Sequence, residues 1–105
     1  MYMMYNFSVS SSVTVSSTTK TKLLEQPSQD FELVALCIRV TGSTEVSLGD
    51  GIAPITGEGL LIKAGQRFID SATENYLPTQ NTIWGLASSS TSTVAVYARY
   101  RKIRC

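Results

Sequence analysis

The 105 residues include no histidine, only two cysteines and three prolines, and just 16% of them are charged. Without histidine the commonest general base is missing, and two cysteines cannot supply a four-ligand Cys/His zinc site. Neither catalysis nor a cofactor or metal is expected. Cys37 lies inside an apolar stretch and Cys105 at the extreme end, which is too few and too oddly placed for the disulfide framework of a small secreted domain. The expectation is a chain made in a reducing cytosol with both thiols free, Cys37 slow toward a thiol reagent behind a central strand and Cys105 fast. The longest apolar run, Leu33 to Ile38, falls far short of the ~20 residues of a membrane helix, so no membrane partner is expected. Nor does Met1-Tyr2-Met3-Met4-Tyr5-Asn6-Phe7 carry the basic start and long apolar run of a secretory signal.

What is present is Ser and Thr, concentrated in Ser8 to Thr21 and Ser88 to Thr93, a bias toward extended structure and turns. A mean hydropathy of +0.06 with 43% hydrophobic residues excludes a disordered polyelectrolyte. A chain of this size buries roughly 65% of its unfolded surface, enough for one core. Val9, Val13 and Val15 alternate with Ser and Thr as in a half-buried strand or an extended arm. After the turn signal Pro27-Ser28-Gln29-Asp30 comes the strongest strand, Phe31 to Val40, with Val34, Leu36, Ile38 and Val40 on one face and Leu33, Ala35 and Cys37 on the other. Both faces read as covered, so the strand is central.

Glu45-Val46-Ser47-Leu48 alternates again and reads as its hairpin partner; Leu60-Leu61-Ile62 and Arg67-Phe68-Ile69-Asp70 are short strands. Ile83 to Ser88 and Thr93 to Tyr100 flank Ser89 to Ser92 as the clearest hairpin, with Trp84 and Phe68 expected in the core. Six or seven short strands predict an all-β single domain, an antiparallel β-sandwich or Greek-key, jelly-roll-like barrel. The divisions are residues 1–26 as N-terminal arm and first strand, 27–98 as the sandwich body, and 99–105 as a basic tail.

No chemical motif stands out. Lys63 has no Ser-x-x-Lys context, and the carboxylate pairs Asp50 with Glu58 and Asp70 with Glu74 read as solvated loop charges. Gly49-Asp50-Gly51 and Gly57-Glu58-Gly59 lead into strands, not into the helix of a phosphate loop, and lack the alternating acids of a calcium loop. Two features do point to partners. Tyr2, Tyr5 and Phe7 at a terminus need cover, which predicts packing on another subunit. Arg99, Arg101, Lys102 and Arg104 place four positive charges in the last seven residues, against five positives and eight negatives before them, and are expected to grip an acidic protein surface. With no second basic patch or aromatic platform in view, nucleic acid is the less favoured partner.

One stretch carries a resemblance. Val34-Ala35-Leu36-Cys37-Ile38-Arg39-Val40-Thr41-Gly42, Glu45-Val46-Ser47-Leu48-Gly49-Asp50-Gly51, Gly57-Glu58-Gly59-Leu60-Leu61-Ile62-Lys63-Ala64-Gly65-Gln66-Arg67-Phe68 and the closing Ile83-Trp84-Gly85-Leu86-Ala87-Ser88 with Ser92-Thr93-Val94-Ala95-Val96 resemble small β-sandwich proteins of tailed bacteriophage virions. The match runs from Val34 to Val96 and rests on turn and core positions. It implies a structural virion protein, a capsid decoration or cement protein on the capsid surface, bridging subunits of the major capsid protein and itself a homo-oligomer. The alternatives are a neck, tail or fibre component, or a carbohydrate- or host-surface-binding module using the loops Gly49 to Gly59 and Ser71 to Gln80.

Overall fold

The computed structural model describes residues 6–51 and 60–103. The described residues form eight strands: β1 (Asn6–Ser16), β2 (Thr21–Leu24), β3 (Phe31–Val40), β4 (Val46–Asp50), β5 (Leu60–Ile62), β6 (Arg67–Ser71), β7 (Ile83–Ala87) and β8 (Thr91–Lys102). They form two four-stranded antiparallel sheets, β1-β8-β3-β6 and β2-β7-β4-β5, packed as a sandwich. Eight strands that alternate between two sheets in this order make a jelly roll. The all-β expectation holds.

The alternation of apolar and polar residues explains the sandwich. Val94, Val96, Ala98 and Tyr100 of β8 and Leu36, Ile38 and Val40 of β3 turn inward, meeting Val46, Ile83 and Ala87 from the other sheet. Pairing is where the sequence misleads. Phe31–Val40 and Val46–Asp50 are not a hairpin, because β3 and β4 lie in different sheets; the same holds for β7 and β8. Only β4 and β5 are both consecutive and paired. A strand with one apolar face fits either a hairpin or a crossover to the facing sheet, and the alternation is the same for both.

Two local features also depart from expectation. Strand β3 bulges between Leu33 and Ala35 against β8, which turns Leu33 into the core beside Leu36 and leaves Val34 only half-buried. Its other face is not covered: beyond the bulge Cys37 is half-buried and Arg39 exposed. Trp84 faces outward from the second sheet, half-buried, with the Lys20 ammonium 4.3 Å from the ring centroid, so it contributes a cation–π contact and not core volume. Short β2, with Leu23 as its one buried anchor, is hidden in the sequence by its polar neighbours.

The topology sorts the connections by length. Residues 17–20, 41–45, 63–66 and 88–90 close the strands at one end, and 25–30 and 72–82 at the other, where β4 also ends and β5 begins. We call these the short-turn end and the long-loop end.

Candidate interaction surfaces

Of the residues singled out from the sequence, Tyr2, Tyr5 and Arg104 lie outside the described residues, as does Cys105. Phe7 is part of β1, which pairs with β8 along its whole length from Asn6↔Arg101 to Ser16↔Thr91. From Asn6 onward the chain is therefore an integral strand. The Phe7 ring stacks on Tyr100 at 4.9 Å and meets Phe31 edge-on at 4.8 Å, an aromatic cluster closing the long-loop end of the core.

Arg99, Arg101 and Lys102 are likewise residues of β8 and not of a free tail. Arg99 and Arg101 share the outward face, as their alternation requires. The Arg101 Nε donates to Glu32 at 2.6 Å and its Nη2 to the same carboxylate, so this charge is neutralised within the chain. Arg99 donates to the Tyr97 hydroxyl at 3.4 Å. That bond, a second from Ser8 and the nearby positive charge hold the Tyr97 phenol below the usual tyrosine range.

Register brings together residues that the sequence keeps apart. Across the outer face of the β1-β8-β3-β6 sheet, one row reads Ser12, Ala95, Arg39, Arg67. The next reads Ser10, Tyr97, Cys37, Ile69, and the one after it Ser8, Arg99, Ala35, Ser71. Arg39, Arg67 and Arg99 make no ion pair among the described residues. Tyr97 is 38% exposed and Ile69 59%. The basic surface is thus a sheet face and not a chain end. Arg39 and Arg67 escape a linear reading because they are 28 positions apart and adjacent only by strand pairing. Period-two placement of Arg39 on β3 is the one signal that points it outward.

At the long-loop end a second group converges. Leu36, Leu48, Phe68 and Ile83 floor a cleft between the sheets, rimmed by Asp50, Asp70, Tyr76, Thr79 and Asn81. Thr79 Oγ1 donates to Asp50 Oδ1 at 2.5 Å, Asn81 Nδ2 to the same oxygen at 3.2 Å, and the Tyr76 hydroxyl to Asp70 Oδ2 at 2.7 Å. The Asp70 carboxylate pushes the Tyr76 phenol up. No group of three or more His, Cys, Asp or Glu able to hold a metal occurs among the described residues.

Among the described residues the two sheets end in four edge strands, and these differ. Among the described residues β6 presents Arg67 and Asp70, β2 carries Lys22 and a register shift, and β5 is three residues long. Charges, bulges and shortness are the devices that keep edges from pairing with other chains. Strand β1, eleven residues of Ser, Val, Thr, Phe and Asn, has no charge and no proline, and no strand among the described residues pairs with its outer edge.

No family model matches this chain, and no curated protein matches it. A solved Bacillus structure, described as endospore appendages that form a novel family of disulfide-linked pili, matches over 94% of this chain and 87% of its own, with a TM-score of 0.67. Its sequence is 16% identical, so the likeness shows a shared fold.

Proposed function

We propose that the protein is a structural subunit that associates with copies of itself into a fibre or coat, and is not an enzyme. The observation that carries this reading is β1: a long strand edge with none of the guards that the other three edges have. Such an edge supplies a row of backbone donors and acceptors to a neighbouring chain, the mode by which sheets extend across subunits. The fold shared with a pilus protein supports the same reading.

That structure's pili are described as disulfide-linked. In this chain the thiols able to form such a link are Cys37, half-buried on the outer face of β3, and Cys105. We place the virion reading second. It rests on the turn and core motifs from Val34 to Val96, and a capsid decoration protein makes the same demand for subunit contacts; no comparison bears on a bacteriophage shell.

Sedimentation velocity and negative-stain microscopy over a wide concentration range, with and without reductant, test the proposal. Concentration-dependent fibres or regular oligomers are expected. A monomer at every concentration would overturn self-assembly. Loss of assembly on adding reductant would assign the contact to the thiols, and binding to purified phage shells by a protein that stays monomeric would move the reading to decoration.

A further inference from the structure

Arg39 and Arg67 are direct cross-strand partners on an outward face, and like charges so placed are destabilising. Nothing among the described residues offsets them. The one carboxylate on that face, Glu32, is occupied by Arg101. Together with Gly65 and Gln66 the two arginines line a concave site at the short-turn end. The backbone there is already satisfied, Gly65 N–H bonding Val40 O at 3.0 Å and Gln66 N–H bonding Lys63 O at 2.9 Å. The groups left to hold a ligand are therefore the guanidiniums, with Lys63 in the adjoining turn adding to the positive field. Two guanidinium forks side by side suit one carboxylate.

The long-loop end supplies such a carboxylate. Glu74 sits at the tip of a two-residue turn closed by Thr73 N–H to Tyr76 O at 2.8 Å, and the turn is tied down by the Tyr76 to Asp70 bond. Glu74 is exposed and makes no ion pair among the described residues. Within one chain the two cannot meet, since Arg67 opens β6 and Glu74 follows its far end, with ~13 Å of strand between Arg67 and Ser71 alone. The ends as wholes differ in the same sense. Among the described residues, Lys20, Arg39, Lys63 and Arg67 lie near the short turns against Glu45; near the long loops Asp30, Asp50, Asp70 and Glu74 stand against Arg99 and Lys102 once the pairs Lys22–Glu25 and Arg101–Glu32 are set aside.

We infer that Glu74 of one copy docks between Arg39 and Arg67 of the next, a head-to-tail contact between the two ends. Because the contacting surfaces differ, the arrangement is heterologous and extends into an open filament unless a rotation closes it. This rests on the proposed self-assembly and names the residues that would join the ends. It also gives the like-charge pair a purpose, since a neighbour's carboxylate relieves its repulsion.

The test is a charge swap, read as the concentration at which half of the protein is assembled. Four samples are compared at low salt: the native chain, Arg67→Glu, Glu74→Arg, and an equimolar mixture of the two variants, each first shown by circular dichroism and thermal melting to be folded. Each variant alone should raise that concentration at least about tenfold, since Arg67→Glu pairs the new carboxylate with Arg39 and removes the attraction for Glu74, and Glu74→Arg sets three like charges together. The mixture should return part of the way toward the native value, because at a junction between unlike copies either Glu74 meets Arg39 and Arg67, as in the native chain, or the guanidinium introduced by Glu74→Arg meets the carboxylate introduced by Arg67→Glu beside Arg39. Native-like assembly by either single variant would overturn the inference while leaving self-assembly standing, as would failure of the mixture to recover. A native chain that stays monomeric removes both.

Discussion

The two ends of the sandwich are built on different principles. At the short-turn end the connections are three to five residues long and are fastened by close backbone approach. Gly42 packs directly on β8, its N–H and that of Thr41 both bonding Thr93 O at 3.0 and 2.9 Å, while buried Ser92 Oγ donates to Thr44 O at 2.6 Å. At the long-loop end fastening is by side chains that stand in for missing strand. Strand β6 pairs with β3 only from Ala35 to Arg39, and beyond it the Gln80 amide accepts from Leu33 N–H at 2.8 Å and donates to Leu33 O at 2.9 Å. The difference teaches where tolerance lies: the first end is intolerant of added volume where Gly42 meets β8, the second of lost hydrogen-bonding groups.

The largest expected effect is at the short-turn end. A Cβ on Gly42 would stand 2.6 Å from Ser92 Oγ and 2.7 Å from Thr93 N, contacts that demand backbone movement. Gly42→Ala should cost about 3 kcal/mol, combining overpacking with loss of the Ser92 to Thr44 bond. For a domain of this size that is a fall of roughly 12–20 °C in melting temperature. A change of only a degree or two would show that this end yields as easily as a loop.

Second comes Gln80→Ala, which leaves both backbone groups of Leu33 without their partner and should cost about 2 kcal/mol. Gln80→Glu should not rescue it, because a carboxylate oxygen would face the carbonyls of Leu33 and Pro78, where the amide now donates. Chemical denaturation of the two variants checks this. Equal stability of Gln80→Glu and the native chain would mean that the side chain is not completing the ladder.

How much of this contrast the sequence discloses depends on the kind of signal. Alternation located β3 at its observed bounds and most of β7 and β8, because core burial writes itself into every second residue, while the flanking glycine turns marked off β5. It could not say that β3 and β4 face one another across the core, nor that a bulge moves Leu33 inward. Those depend on pairing between residues far apart in the chain. The same holds for the basic surface. Arg99 and Arg101 stand out as a cluster near the end of the chain, yet Arg101 proves to be matched by Glu32, while unmatched Arg39 and Arg67 lie in separate strands. The role of Gln80 has no local signature at all, since its partner is 47 positions away.

A smaller effect isolates backbone conformation from packing at the short-turn end. Gly65 has φ +81° and no atom within 4 Å of where a Cβ would stand, so Gly65→Ala meets no clash and only the left-handed backbone penalises it. The cost should be about 1 kcal/mol. Gly65→Asn should cost less, since asparagine tolerates that region better. If Gly65→Ala destabilised as much as Gly42→Ala, strain and not close packing would be the rule at this end.

The smallest effect is spectroscopic, and it reads the two electrostatic environments directly. Tyr97 lies on the arginine face and is held low, chiefly by the Arg99 bond; Tyr76 lies at the acidic end and is held high, chiefly by its bond to Asp70. Tyr100 is also raised, by burial alone, so the fold should keep its full stability up to the unfolded tyrosine value and lose some as pH climbs from there toward the folded one. In an alkaline titration followed by phenolate absorbance, Tyr97 should ionise first and Tyr76 and Tyr100 later, with the single variants Tyr97→Phe and Tyr76→Phe assigning the steps. Arg99→Ala should carry the early step upward toward the ordinary range, and Asp70→Asn should carry the Tyr76 step downward. Both rings are exposed, so neither variant should change stability measurably, which separates this readout from the packing effects above. Coincident ionisation of Tyr97 and Tyr76 would show that solvent screens the Arg99 and Asp70 contacts alike.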